Sequence, residues 1–273
     1  MKRCVICVCM IITALCVWTC APDDTAESAV EWYERAKAEA DTDTQIEYYT
    51  KAIDLDAEYA DAYAGRGWAF SGEGDFEAAL ADLDTAISLD DASAEAHMYR
   101  GVTYRRMGRY DEAVADLDRA VTLDPEYGLA YYYRGVTHGN MEEYEKALID
   151  YTRAVEIDPT DAWSFNGRGW TYYLMGEYEK ALEEITISLE LEPDDEYTLD
   201  SRASVYRELG RFDEALADSN RALEIDPEYY WAYYTRGLIY LDMGERDTGV
   251  ADLTLACDNG EVDACDELER VNE

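Results

Sequence analysis

Basic residues are scarce in this chain. Lys and Arg number 23 among 273 residues, against 62 Asp and Glu, for a formal net charge of −39. A field of that sign repels nucleic acid, whose capture requires cationic side chains to neutralise phosphates. It also disfavours direct adsorption on an anionic leaflet. Histidine is nearly absent: His97 and His138 are the two, and neither lies near Cys257 or Cys265, so no metal site is expected. There is no HExxH, no pair of CxxC motifs, no GxSxG and no GxxxxGK[ST] loop, which removes the common hydrolase and nucleotide-binding signatures. Acids are so frequent that no Asp/Glu pair stands out as a general acid and base. The expectation is a protein that is not an enzyme and needs no cofactor. The 48% hydrophobic content is nevertheless that of a folded chain, not of a disordered acidic tail. The acidity reads either as a solvated surface or as a field that steers in a basic protein partner.

Long apolar runs are missing too, apart from one. After the basic start Met1-Lys2-Arg3, residues Cys4 to Trp18 are uncharged and mostly apolar. That run is shorter than the ~20 residues of a spanning helix, and it reads as a secretory signal. Residues 1–20 are taken as the signal and 21–25 as a linker. Val17-Trp18-Thr19-Cys20 resembles the lipobox of bacterial lipoproteins, which implies cleavage before Cys20 and lipidation of that cysteine. A cut after Ala21, with Thr19 and Ala21 as the small residues, and an uncleaved anchor are the alternatives. The chain is therefore expected to be exported to the periplasm or cell envelope, touching the membrane only through a lipid, or else secreted as a soluble protein. Five of its seven cysteines lie in this segment, leaving Cys257 and Cys265 in the remainder.

What the sequence has in abundance is repetition. ALADLDTAISLDD (79–91), AVADLDRAVTLDP (113–125) and ALIDYTRAVEIDP (147–159) recur every 34 residues; ALEEITISLELEP (181–193) and ALADSNRALEIDP (215–227) continue the series. Residues 26–263 divide into seven units of 34, beginning at Ala26, Ala60, Ala94, Gly128, Ala162, Glu196 and Tyr230. In each, apolar or small residues at positions 4, 8 and 11, then at 20, 24 and 27, fall on one face of two successive helices. Position 8 is Gly67, Gly101, Gly135, Gly169, Ala203 and Gly237; position 20 is Ala79, Ala113, Ala147, Ala181, Ala215 and Gly249. Small residues there allow close helix approach. Gly74, Gly108, Gly176, Gly210 and Gly244 stand where the first helix stops. Pro125, Pro159, Pro193 and Pro227 close the second.

This pattern resembles the tetratricopeptide repeat. The resemblance implies an all-α, right-handed superhelical solenoid of seven helix pairs, the first degenerate, with residues 264–273 as a short capping helix. It also implies a concave groove lined by positions 2, 5, 9, 12 and 13 of the first helices. Here those positions hold Trp68, Arg105, Arg106, Tyr132, Asn140, Trp163, Asn166, Trp170, Tyr173, Arg207, Trp231 and Tyr234. Aromatic and Arg side chains are the usual anchors of protein interfaces, so a protein or peptide is the expected occupant. Aromatic stripes also stack on sugars, which leaves a carbohydrate- or peptidoglycan-engaging module as the alternative. The Lys/Asn/Arg carboxylate clamp of heat-shock co-chaperones is not visible at these positions.

Position 7 carries Arg66, Arg100, Arg134, Arg168, Arg202 and Arg236. Position 23 carries Asp82, Asp116, Asp150, Glu184, Asp218 and Asp252. The first unit lacks both members, having Trp32 and Tyr48. Their joint loss points to Arg–carboxylate pairs, within each unit or between neighbours, because the Arg fork can hold a carboxylate with two hydrogen bonds. A ligand-reading Arg stripe is the other use of such a row. At the C-terminal end, Ala256-Cys257 to Ala264-Cys265 resembles the Sel1-like repeats, and that resemblance implies a Cys257–Cys265 disulfide. Two buried thiols would be the alternative.

Overall fold

The structure, a computed structural model, describes residues 27–272. The signal, the linker, Cys20 and the competing cleavage sites lie outside the described residues. The described chain holds fifteen α-helices and no strand. It divides into two compact units after Thr103, a boundary that falls inside one helix.

In the first unit, α1 (Ala29–Ala38) pairs with α2 (Thr42–Leu55) and α3 (Ala60–Glu73) with α4 (Phe76–Leu89), and α2 also packs on α3. The helix α5 (Ala94–Arg106) crosses the boundary. The second unit continues with α6 (Tyr110–Leu123), α7 (Gly128–Asn140), α8 (Tyr144–Ile157), α9 (Ala162–Leu174) and α10 (Tyr178–Leu191). It ends with α11 (Glu196–Glu208), α12 (Phe212–Ile225), α13 (Tyr230–Asp242), α14 (Arg246–Asp258) and α15 (Val262–Asn272). Within it, α7 pairs with α8, α9 with α10, α11 with α12 and α13 with α14, while each second helix also packs on the next first helix. Short connections between touching helices make each pair an antiparallel hairpin.

The packing follows from the small residues. Ala79, Ala113, Ala147, Ala181 and Ala215 at position 20 are wholly buried, as are Leu83, Leu117, Ile185 and Leu253 at position 24. A Cβ added at Gly169 would lie 2.5 Å from the Ile185 side chain, and one at Gly67 2.8 Å from that of Leu83. The helices of a pair can meet this closely only without that carbon. The turn after the first helix of repeats 2, 3, 5, 6 and 7 uses Gly in the left-handed region, with φ of 81° at Gly74 and 69° at Gly210. Repeat 4 puts Glu142 there, at φ 59°, a conformation that is costly for a residue with a Cβ.

The first helix of repeat 1 begins at Ala29, held by a capping box between Ser28 and Glu31. One boundary shifts from its expected place. The closing helix begins at Val262 and not at 264, because Gly260, at φ 102°, reverses the chain early enough to start it sooner. Cys257 and Cys265 form a disulfide with their Cα atoms 4.8 Å apart, tying α14 to α15.

Five of the expected Arg–carboxylate pairs form within their own repeats. Arg66 Nε and Nη2 donate to Asp82 Oδ2 and Oδ1 at 2.7 and 2.9 Å. Arg202 to Asp218 and Arg236 to Asp252 repeat those distances. Arg134 holds Asp150 at 2.9 and 2.5 Å, and Arg168 donates twice to Glu184 Oε2 at 2.9 and 2.6 Å. Arg100 and Asp116, the remaining two, belong to different compact units. The paired carboxylate is the leading influence that raises the affinity of Arg66, Arg202 and Arg236 for their protons. Each guanidinium also sits over an aromatic ring, as Arg134 does over Tyr131 at 5.3 Å and Arg236 over Tyr233 at 5.2 Å. These five Arg side chains are thus engaged within their own hairpins.

The third guanidinium nitrogen reaches back to position 25 of the preceding repeat. Nη1 of Arg66 donates to Thr50 Oγ1 at 3.0 Å, that of Arg100 to Asp84 at 2.6 Å, that of Arg134 to Asp118 at 2.7 Å and that of Arg236 to Asn220 at 2.7 Å. One Arg therefore fastens its own hairpin and joins it to the hairpin before. His97 and His138 are buried, as their core-facing positions imply; His138 Nδ1 lies 2.8 Å from Glu143 Oε2.

Candidate partner-binding site

First helices of successive repeats touch one another, α7 with α9, α9 with α11 and α11 with α13, so their side chains can build a continuous face in the second unit. In the first unit Trp68 stacks on Tyr99, with ring centroids 4.6 Å apart and planes 23° apart.

In the second unit the expected residues gather in two groups. The first is built around Arg105, at the end of α5. Its guanidinium lies 5.9 Å from the centre of the Tyr133 ring, and its charge also acts on the phenols of Tyr132 and Tyr151. Burial pushes the Tyr132 phenol up to about 12, so that hydroxyl stays protonated and available as a donor. Arg105 Nε is buried and has no acceptor among the described residues. Asn166 Oδ1, at position 5 of the next repeat but one after Arg105, is likewise buried without a donor. Arg106 and Asn140 are exposed.

The second group joins repeats 5, 6 and 7. Trp170 stacks on Tyr173 at 4.6 Å, and Tyr173 meets Tyr178 at 5.7 Å. Trp231 and Tyr234 are 5.2 Å apart. Arg207 stands between them: burial raises the affinity of the Tyr173 and Tyr234 phenols for their protons, and the Arg207 charge partly offsets this at both. Arg207 itself donates to Asp242 Oδ2 at 2.6 Å, so its charge is already balanced within the chain. Trp163, 43% exposed, neighbours Tyr197, 48% exposed, at 6.4 Å. Tyr197 had no place among the expected residues, although it occupies position 2 exactly as Trp163 and Trp231 do and could have been found by that register alone. Asp200, at position 5 of the same helix, was also passed over.

Tetratricopeptide-repeat family models match residues 65–127, 128–161 and 150–183, and a TPR-repeat model matches 203–244. Together they account for more than half the chain, which is a tetratricopeptide-repeat protein. No curated protein matches its sequence. Among solved structures, a tetratricopeptide-repeat protein from Parabacteroides merdae is 19% identical, with 90% of this chain and 99% of that one covered at a TM-score of 0.69; this likeness is one of fold. YrrB, described as a TPR protein with an unusual peptide-binding site, is 27% identical over 67% of this chain and 95% of its own, with a TM-score of 0.51. MamA is 26% identical over 63% and 94%, with a TM-score of 0.53. The class is that of protein-interaction scaffolds.

Proposed function

We propose that this chain is an exported, membrane-tethered adaptor that holds a partner protein or peptide on the face made by its first helices. The observation that carries the reading is Arg105: a buried donor without an acceptor, set among tyrosines, in a chain with a large excess of acids. A buried donor left unmade costs free energy, and the half-buried Arg105 guanidinium would recover it by turning outward to a partner's carbonyl or carboxylate. The stacked Trp170–Tyr173 pair and exposed Trp163 and Tyr197 supply apolar contact area on α9 and α11. The net charge favours a partner that is basic elsewhere on its surface. Tethering through Cys20 and a role in envelope assembly rest on the signal-like N-terminus. The disulfide between Cys257 and Cys265 suits an oxidising compartment.

An array of peptides of graded charge, probed with the labelled chain, tests the reading. Binding is expected, and Trp170→Ala combined with Tyr173→Ala should weaken it about tenfold or more with little change in melting temperature. Selective binding to a glycan array, with none to peptides, would replace the adaptor with the carbohydrate-engaging module.

A further inference from the structure

The seam between repeats 6 and 7 is polar where the other seams are filled by apolar or aromatic side chains. Position 24 is Tyr49, Leu83, Leu117, Tyr151, Ile185 and Leu253 in the other six repeats and Ser219 in repeat 6. Ser219 is fully buried, and its Oγ has no partner among the described residues. Tyr49 packs against Gly65 and Tyr151 against Gly167, each glycine at position 6 of the following repeat. By that register Ser219 faces Thr235, which is 3% exposed. Thr235 in turn hydrogen-bonds the carboxyl of Asp200. Asp200 is 3% exposed as well, and its Oδ1 is unpartnered.

A carboxylate in such a place lacks what normally makes burial tolerable, a cation or several donors. From α13 the Thr235 hydroxyl bonds it, and from the turn before α13 the Tyr229 phenol feels its charge together with those of Tyr197 on α11, Asp195 at the N-cap of α11 and Glu261 before α15. No Arg, Lys or His among the described residues bears on it; Arg202, on the same helix, is engaged by Asp218. The protonated acid fits this setting, because it can both donate and accept. The anion does not.

We propose that the contact of α13 with α11 and α12 is a proton-dependent joint, closed while Asp200 carries its proton and loosened when the proton leaves. Burial pushes this carboxyl up to about 7, from an ordinary value near 4. Since the closed state is the one with the raised value, it is favoured at low pH. The advantage declines as pH rises past about 4 and is spent once pH exceeds about 7. Opening is coupled to one proton, so the population of the open joint should rise about tenfold per pH unit between pH 5 and 7 and level off above.

Hydrogen–deuterium exchange on the full chain at pH 5, 6, 7 and 8, corrected for intrinsic exchange rates, tests this. Protection of the α13 amides should fall about tenfold per unit up to pH 7 in the wild type, while Asp200→Asn, which keeps the shape but cannot ionise, should show a flat profile. The amides of α3 and α4 serve as internal reference and should not change. Equal pH dependence in wild type and Asp200→Asn would overturn the proposal. So would a loss of protection in α3 and α4 that matched α13, because the carboxyl would then act on the whole fold and not on one joint. Trp231 emission, followed over the same pH range in both proteins, gives a second readout should exchange be too fast to resolve.

Discussion

Between repeats 4 and 5 the filler is Tyr151, 5% exposed, whose ring enters the space left by Gly135 and Gly167. Between repeats 6 and 7 it is Ser219, buried opposite Thr235, which in turn bonds a buried acid. The helices around the two seams are alike in length and pairing. What differs is the chemistry at one position of the second helix and one of the next first helix. The aromatic seam removes a large apolar area from water and is indifferent to pH, since the Tyr151 phenol is driven far above its ordinary range by burial. The polar seam gives up that burial and makes its closure depend on a proton. A stack of near-identical hairpins can thus have rigid and yielding points without any change of backbone.

Substitutions at the two fillers can break the comparison. The largest effect is expected from Tyr151→Ala, which should cost about 3–5 kcal/mol as lost transfer energy and an unfilled cavity; a loss near zero in chemical denaturation would mean that the ring is not a structural filler. Gly167→Ala comes next. Its new Cβ would stand 2.6 Å from the Tyr151 ring, and overpacking of that kind should cost about 1–3 kcal/mol, with Tyr151→Leu in the same chain relieving it. The smallest effect is expected at the polar seam. Ser219→Ala deletes a hydroxyl that has no partner and should stabilise the protein by about 1 kcal/mol. Destabilisation would show that the hydroxyl holds an ordered water, and that the seam is wet and not merely underfilled.

The repeat register was legible because it is carried by residues whose role is local. Gly67 or Ala79 can be read singly, since only a small side chain fits where two helices cross. The Arg–carboxylate pairs were legible by their joint absence from repeat 1. Their reach to Thr50, Asp84, Asp118 and Asn220 was not read, although position 25 is a hydrogen-bonding residue in every repeat; that bond joins different hairpins, and no single hairpin displays it. Tyr151 with Gly167 escaped for the same reason, each residue being unremarkable until set against its neighbour. The candidate face was read as a row of positions, which gave Trp163, Trp170 and Trp231 but missed Tyr197. It also counted Arg207 among the groove anchors, whereas Asp242 engages it from 35 residues away. Burial of individual atoms, which sets Arg105 and Asp200 apart, depends on the packing of three helices at once and has no signature in spacing.

The fit of Tyr49 to Gly65 and of Tyr151 to Gly167 bears on how such a chain can be recombined. A plug and its socket sit on opposite sides of the conventional repeat border, so trading whole 34-residue blocks would part them, leaving a ring with no room or a hole with no ring. Blocks cut after the first helix, in the turn near position 15, would keep Tyr49 with Gly65 and Tyr151 with Gly167, at the cost of parting Tyr151 from Gly135 in its own repeat. For the fits that cross the repeat border, the cassette to shuffle is therefore a second helix plus the first helix that follows it.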